Sequence, residues 1–375
     1  MLNTHSKPMI CFVYSFLEHP QGGIGQYELQ LTERLRSVDE IYLQTSRIVP
    51  LKLPFRIPRL FGVDLNAFLK NNPMWFDVPK SHKFTVHLSH QFMGLAIPFI
   101  KLRGFISGFK PNIIITVHDL FDQETHWNPM LKHLKPNWRW SDRLSNFLMI
   151  KSIGLADQII VDSHATMGSV VKVLPRSKDK ISVVHLGWSV PSVIGKASTR
   201  KSNQVLYVGS LHPRKNIQTL VKAVTILRKT GHDVKLILAG APRITHKVDE
   251  IQNVDGVEIL GEVTFEEIRR LYATSTVFAL PSLSEGFGLP LIEAMGYGCP
   301  VIASDIPVFR EIAQDSAIFV APQDEMRWAD AIRLLLEREQ ERAALAERGL
   351  ALAYKFKWEK TLVETLAVYG LQQDN

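Results

Sequence analysis

At 375 residues the chain exceeds a single ordinary domain of about 100–200 residues and is long enough to bury two cores. Hydrophobic residues at 46% and charged residues at 22% exclude a disordered or fibrous chain, and two cysteines, Cys11 and Cys299, exclude a secreted disulfide framework. The net charge of +7 lies in the first half, where residues 1–190 hold 22 Lys and Arg against 14 Asp and Glu; charge alone does not choose among anionic lipid, nucleic acid and an acidic substrate.

The opening MLNTHSKPMICFVYS has no basic region feeding a long apolar core, so no signal peptide is expected. No apolar run reaches the roughly 18 residues of a membrane span. With the cysteines in apolar, strand-like stretches, the expected setting is cytoplasmic.

Strand-like runs in the first half are MICFVYS, KFTVHLS, NIIITVH, QIIVDS and ISVVHLG, separated by stretches of helical period. After the first, Gly22 to Leu35 (GGIGQYELQLTERL) suits a tight turn into a helix, either a plain turn or a loop that touches a ligand. His118 and Asp119 end the run NIIITVHD, and the carboxyl ends of parallel strands are where α/β sheets place ligand crevices. The alternative for His118 is a satisfied histidine near the sheet edge. Leu95 to Lys110 and Met130 to Arg143 mix basic with apolar and aromatic residues, as either a membrane-surface face or a core-packing helix with solvated charges would.

Ser189 to Asn203 (SVPSVIGKASTRKSN) has the composition of an interdomain connection. The second half repeats the alternation with QVLYVGS, VKLILAG, VEILGE, TVFALPS, PVIAS and AIFVAP. The whole predicts an α/β protein with two Rossmann-like domains: residues 1–190, residues 204–355, and a C-terminal helix over 356–375 that packs back on the first domain. Thr264 with Glu267 three residues on predicts a capped helix start, and the chain after Asp324 reads as consecutive helices.

Two stretches carry chemistry. In YVGSLHPRKNIQTL, Arg214 and Lys215 stand between a strand end and a helix start, an arrangement that a diphosphate would render attractive. In PSLSEGFGLPLIEAMGYGCPVIASD, Gly286 and Gly288 allow a sharp turn and close backbone approach to a ligand, and free N–H groups open the helix near Leu289. Glu285 before the turn and Glu293 one turn into the helix would both face one ligand, accepting from sugar and ribose hydroxyls. No Asp-x-Asp and no closely spaced His/Cys cluster occurs, so metal dependence is unsupported.

These motifs, in this order, resemble retaining glycosyltransferase family four, whose members have the GT-B fold with parallel sheets facing across a central cleft. The resemblance spans most of the chain and is strongest in Glu-x7-Glu, here Glu285 to Glu293. It implies that Glu285 contacts the donor sugar, Glu293 the ribose, Arg214 and Lys215 the diphosphate, and the Phe287 to Leu289 backbone the sugar and phosphate. It places His118 beside the reacting sugar, the Gly23 to Gly25 loop over the diphosphate, and Ser210, Gly261 and Val263 along the donor. Many members have Arg where Ser210 stands, which leaves that contact to Arg214. The HPRKN and GFGLPLIEAM wording is most similar to bacterial mannosyltransferases that extend surface polysaccharides. Implied are a GDP-mannose donor and a glycan or lipid-linked glycan acceptor; no metal or other cofactor is expected, and the basic first half predicts peripheral contact with the inner face of the cytoplasmic membrane. Rival readings are a sugar-nucleotide epimerase or hydrolase, a catalytically silent nucleotide-sugar-binding subunit, and a nucleic-acid binder, which the dispersed basic residues disfavour.

Overall fold

The computed structural model describes residues 7–15, 22–47, 84–189, 203–241, 251 and 253–371. The chain divides into two compact units. Unit 1 comprises residues 1–123, 136–186 and 358–375, and unit 2 comprises 124–135 and 187–357.

Unit 1 holds a parallel sheet of β1 (Met9–Tyr14), β2 (Tyr42–Arg47), β3 (Phe84–Leu88), β4 (Asn112–Val117), β5 (Gln158–Val161) and β6 (Ile181–Val183), in the order β2-β1-β3-β4-β5-β6. Unit 2 repeats the plan with β7 (Gln204–Val208), β8 (Lys235–Ala239), β9 (Val257–Gly261), β10 (Val277–Leu280), β11 (Val301–Ser304) and β12 (Ile318–Val320), ordered β12-β11-β10-β7-β8-β9. The central strands β3, β7 and β10 are buried along their whole length, because helices cover both faces of a parallel sheet. Their continuous apolar sequence follows from that burial.

The helices used below are α1 (Gly22–Arg36), α2 (Ala96–Ser107), α3 (Trp140–Ile153), α4 (His164–Val173), α5 (Ile217–Lys229), α6 (Phe265–Thr274), α7 (Leu289–Gly296), α8 (Pro307–Ala313), α9 (Glu325–Glu337), α10 (Glu339–Ala353) and α11 (Trp358–Val368). The Thr264 hydroxyl accepts from the Glu267 N–H at 3.2 Å and starts α6 at the expected place. Asp324 caps α9 in the same way, and three consecutive helices close the chain.

α11 belongs to unit 1. Glu359 pairs with Arg34 of α1 at 3.0 Å, and the Tyr369 hydroxyl meets His87 Nδ1 at 2.6 Å. The chain thus returns to its first unit after Lys357, where an isolated parallel bridge joins Trp188 to Lys357 within unit 2. Most of the expected connection, residues 190–202, lies outside the described residues.

Three expectations are corrected. β2 went unread because YLQTSR lacks an apolar alternation; as the sheet's outer strand it faces fewer neighbours and tolerates polar residues. Gly23 and Gly25 are not a loop but part of the first turn of α1, with Gly25 buried and Gly23 exposed. Cys299 stands in the turn before β11, its thiol 3.5 Å from the Ser275 carbonyl; both cysteines are buried thiols outside any disulfide.

Candidate active site

Each sheet has one place where the connections change direction, and ligands of open α/β sheets bind beyond the carboxyl ends of the strands there. In unit 2 the change falls between the neighbours β7 and β10, since β8 and β9 continue to one side and β11 and β12 to the other. The loop after β7 carries Arg214 and Lys215, and the loop after β10 carries Glu285. Topology therefore brings together the two motifs that lie 70 residues apart in sequence.

The two loops are stitched to each other. The Leu283 N–H donates to the Arg214 carbonyl at 2.7 Å, and the Asn216 amide donates to the carbonyls of Pro281 at 3.2 Å and Pro322 at 2.6 Å. Pro213 to Lys215 form one 3-10 turn, and Asn216, at φ 53°, turns the chain into α5. This backbone holds Lys215 against Glu285, whose carboxylate accepts from the Lys215 ammonium and, at 2.8 Å, from the Ser282 hydroxyl. Arg214 Nη1 lies 3.8 Å from the other Glu285 oxygen.

The Glu285 side chain is 8% exposed and that of Lys215 11%, so the pair is largely withdrawn from water. Burial would raise the Glu285 carboxyl, but Lys215 and Arg214 outweigh it and hold the group below its ordinary value. The neighbouring Tyr207 hydroxyl, which donates to the Ser210 carbonyl at 2.9 Å, is pushed far up by burial and by the Glu285 charge and stays neutral.

After Glu285, Gly286, Phe287 and Gly288 make the turn into α7. Gly288 has φ 93°, and a Cβ there would meet the Phe309 ring at 2.7 Å, so glycine is required on both counts. α7 then presents its open N–H groups, with Leu289 buried and Pro290 in the first turn, where its missing N–H costs nothing. Glu293 is one turn on and accepts from the Tyr272 hydroxyl at 3.0 Å; burial raises its carboxyl, an effect that Tyr272 and Arg269 only partly offset. Gly261 ends β9 and its carbonyl accepts from the Gly240 N–H at 2.7 Å; Val263 follows, partly buried.

Unit 1 places His118 at the end of β4 and Asp119 after it. Of the two readings left open for His118, the structure shows a satisfied histidine: it is 6% exposed and both ring nitrogens have partners. Nδ1 lies 2.6 Å from an Asp162 oxygen and Nε2 lies 3.0 Å from the Ser89 carbonyl. Asp162 was not singled out in the sequence. Its signal was available, a carboxylate at the end of QIIVDS, on the strand paired with β4 in the register Val117 to Val161. Glu28, buried on α1 and bonded to Ser89 Oγ at 2.5 Å, was likewise missed.

Both halves of the chain match sequence families. Residues 22–189 match "Glycosyltransferase Family 4" and residues 194–351 match "Glycosyl transferases group 1". The chain belongs to glycosyltransferase family 4. It is 34% identical to the O-antigen chain mannosyltransferase RfbU of Salmonella typhimurium over 50% of this chain and 53% of that protein, so the match spans about half the length of that relative. It is 26% identical to O-antigen chain mannosyltransferase B of Escherichia coli over 96% of this chain and 99% of that one. Among solved structures, sucrose-phosphate synthase of Thermosynechococcus elongatus superposes with a TM-score of 0.75 at 20% identity, covering 97% of this chain and 98% of that one. Anabaena HepE, in complex with UDP and glucose, gives 0.69 at 18%, covering 96% and 99%. The fold is GT-B, and the expected class, a family 4 glycosyltransferase, stands.

Proposed function

We propose that the chain is a retaining mannosyltransferase that moves mannose from GDP-mannose to a glycan or lipid-linked glycan without a metal ion. The observation that carries this reading is the Arg214, Lys215 and Glu285 cluster at the switch point of unit 2. Two cations beside an open helix N-terminus suit a diphosphate, and a carboxylate among them suits the hydroxyls of the attached sugar. The names of the two mannosyltransferase relatives support mannose as the sugar.

In this reading Arg214, Lys215 and the α7 N–H groups take up the charge that develops on the departing diphosphate. The bond between the sugar C1 and the diphosphate oxygen breaks while the acceptor oxygen bonds C1 on the same face. The acceptor proton passes to the departing diphosphate. Glu285 holds Lys215 in place before the donor arrives, so little side-chain entropy is lost on binding. Glu293 contacts the ribose, and the Gly286 to Leu289 backbone, with Ser210, Gly261 and Val263, borders the nucleotide. The resemblance to family four assigns His118 to the reacting sugar and Gly23 and Gly25 to the diphosphate. Melting with GDP, UDP and ADP, each with magnesium and with EDTA, tests the donor. GDP at 100 times its dissociation constant should stabilise by about 2.7 kcal/mol in either condition. A shift only with magnesium, or only with another base, would defeat the corresponding part of the proposal.

We also propose that unit 1 rests on anionic lipid. α2 exposes Leu102, Phe105 (84%) and Ile106 (70%), while α3, which lies against it, exposes Trp140 (73%) and Phe147. Exposed Lys110, Arg139, Arg143 and Lys151 accompany this apolar face, the combination that suits a negative bilayer surface. Of the second candidate segment, Pro129–Leu134 forms a 3-10 turn in unit 2, and the part from Pro136 on belongs to unit 1. Among the described residues no helix is long and apolar enough to cross a membrane. The protein should float with phosphatidylglycerol-containing vesicles at low salt, and Phe105→Asp with Ile106→Asp should abolish this. Equal recovery of both proteins in the vesicle fraction would contradict the assignment.

A further inference from the structure

Unit 1 contains a buried polar chain that runs from α1 to the end of β5. From α1, Glu28 Oε1 accepts from the Ser89 hydroxyl at 2.5 Å and from the Ser15 N–H at 3.0 Å. The Ser89 carbonyl faces His118 Nε2, and His118 Nδ1 faces Asp162. Every member is at most 6% exposed apart from Ser15.

A backbone carbonyl only accepts, so the contact with Ser89 requires a proton on Nε2. At Nδ1 the ring meets a carboxylate whose second oxygen, Oδ1, is buried and has no hydrogen-bond partner. His118 is therefore the group that offsets the Asp162 charge. Protonation at both nitrogens satisfies both contacts and neutralises a carboxylate that is 2% exposed.

We propose that Asp162 is a positioning residue that keeps His118 doubly protonated and its ring fixed toward Ser89, making His118 a buried cation at neutral pH. The groups that face the pair agree. Asp119 adjoins His118 in the chain and Glu28 approaches through Ser89, adding negative charge. His87 and His90 are driven down to about 3 by burial and by the His118 charge, so they remain neutral. Tyr27, whose ring is 4.8 Å from His118 and nearly perpendicular to it, is pushed far up by burial. His185 lies near enough to Asp162 to lower its carboxyl slightly. Burial opposes the charge on His118, yet Asp162, Ser89 and Asp119 together raise it above its ordinary value. Burial also raises Asp162, and the competing arrangement, with the proton on Asp162 and a neutral ring, is the one to exclude.

The consequence for transfer rests on the function proposed above, which assigns His118 to the reacting sugar. The charge state itself does not depend on that reading. Nitrogen-15 spectra of histidine-labelled protein, with His118 assigned by comparison with His118→Gln, test it. The wild type should show both His118 nitrogens protonated at pH 7, and Asp162→Asn should show a neutral ring at that pH. Transfer by Asp162→Asn should fall at least about tenfold in kcat with little change in donor KM, its alkaline limb moving at least about one pH unit toward acid. A wild-type ring protonated on Nε2 alone, or the same His118 titration in both proteins, would overturn the proposal. If the wild type transfers no sugar, the function proposed above fails while the spectra still decide the charge.

Discussion

Lys215→Ala is expected to lose at least about a hundredfold in transfer and to melt roughly 5–10 °C lower than the wild type. The two losses have one origin. Removing one partner of a buried ion pair leaves the other charge without compensation, which costs about 3–5 kcal/mol in general. Here Ser282 at 2.8 Å and Arg214 at 3.8 Å still face the Glu285 carboxylate, so about 2–3 kcal/mol is expected. The 11% exposure of Lys215 is what makes its removal cost stability as well as transfer.

The pair also predicts an acid response. Because the folded protein holds Glu285 below its ordinary value of 4.5, the pair's contribution is whole above that pH and fades as pH falls below it. Melting temperatures recorded from pH 7 to 3.5 should therefore converge for the wild type and Lys215→Ala. A constant gap across that range, or an unchanged transfer rate, would contradict the assignment.

Gly240→Ala should be the most damaging single-methyl change in unit 2. A Cβ at Gly240 would lie 2.0 Å from the Gly209 carbonyl oxygen, a backbone atom, and Gly240 has φ 148°, which side-chain-bearing residues rarely adopt. Neither glycine is free to move. The Gly209 N–H donates to Ala239 at 2.9 Å and the Gly240 N–H to Gly261 at 2.7 Å, locking the carboxyl ends of β7, β8 and β9 together. A loss above about 4 kcal/mol is expected, in the range reserved for clashes that nothing can relieve. Gly231→Ala is the control. It also has a positive φ, 91°, but nothing lies within 4 Å of its Cβ position, so about 1 kcal/mol is expected. Denaturant melts of both variants check this, and equal losses would show that the close approach to Gly209 is not what demands glycine.

Much of this fold was legible because parallel strands buried on both faces read as continuous apolar runs, and their ends mark the crevice. Arg214, Lys215 and Glu285, which the structure brings together, follow strand ends in that way. β2 was not, since YLQTSR on an outer strand carries no apolar rhythm. Glu28 and Asp162 escaped for another reason. Their importance comes from burial and from partners 61 and 44 residues away, and no local spacing announces either. Likewise, the sequence identified His118 but not that Ser89 and Asp162 occupy both of its nitrogens. The first turn of α1 was misread because glycines that suit a turn also serve the opening of a helix.

Calorimetric titration with GDP in the presence of EDTA tests the central claim most directly, that the loops after β7 and β10 grip the diphosphate of a nucleotide-sugar without metal. The account predicts saturable binding to the wild type and at least about tenfold weaker binding to a folded Lys215→Ala protein. Undiminished affinity in that variant, or no binding until magnesium is added, would contradict it.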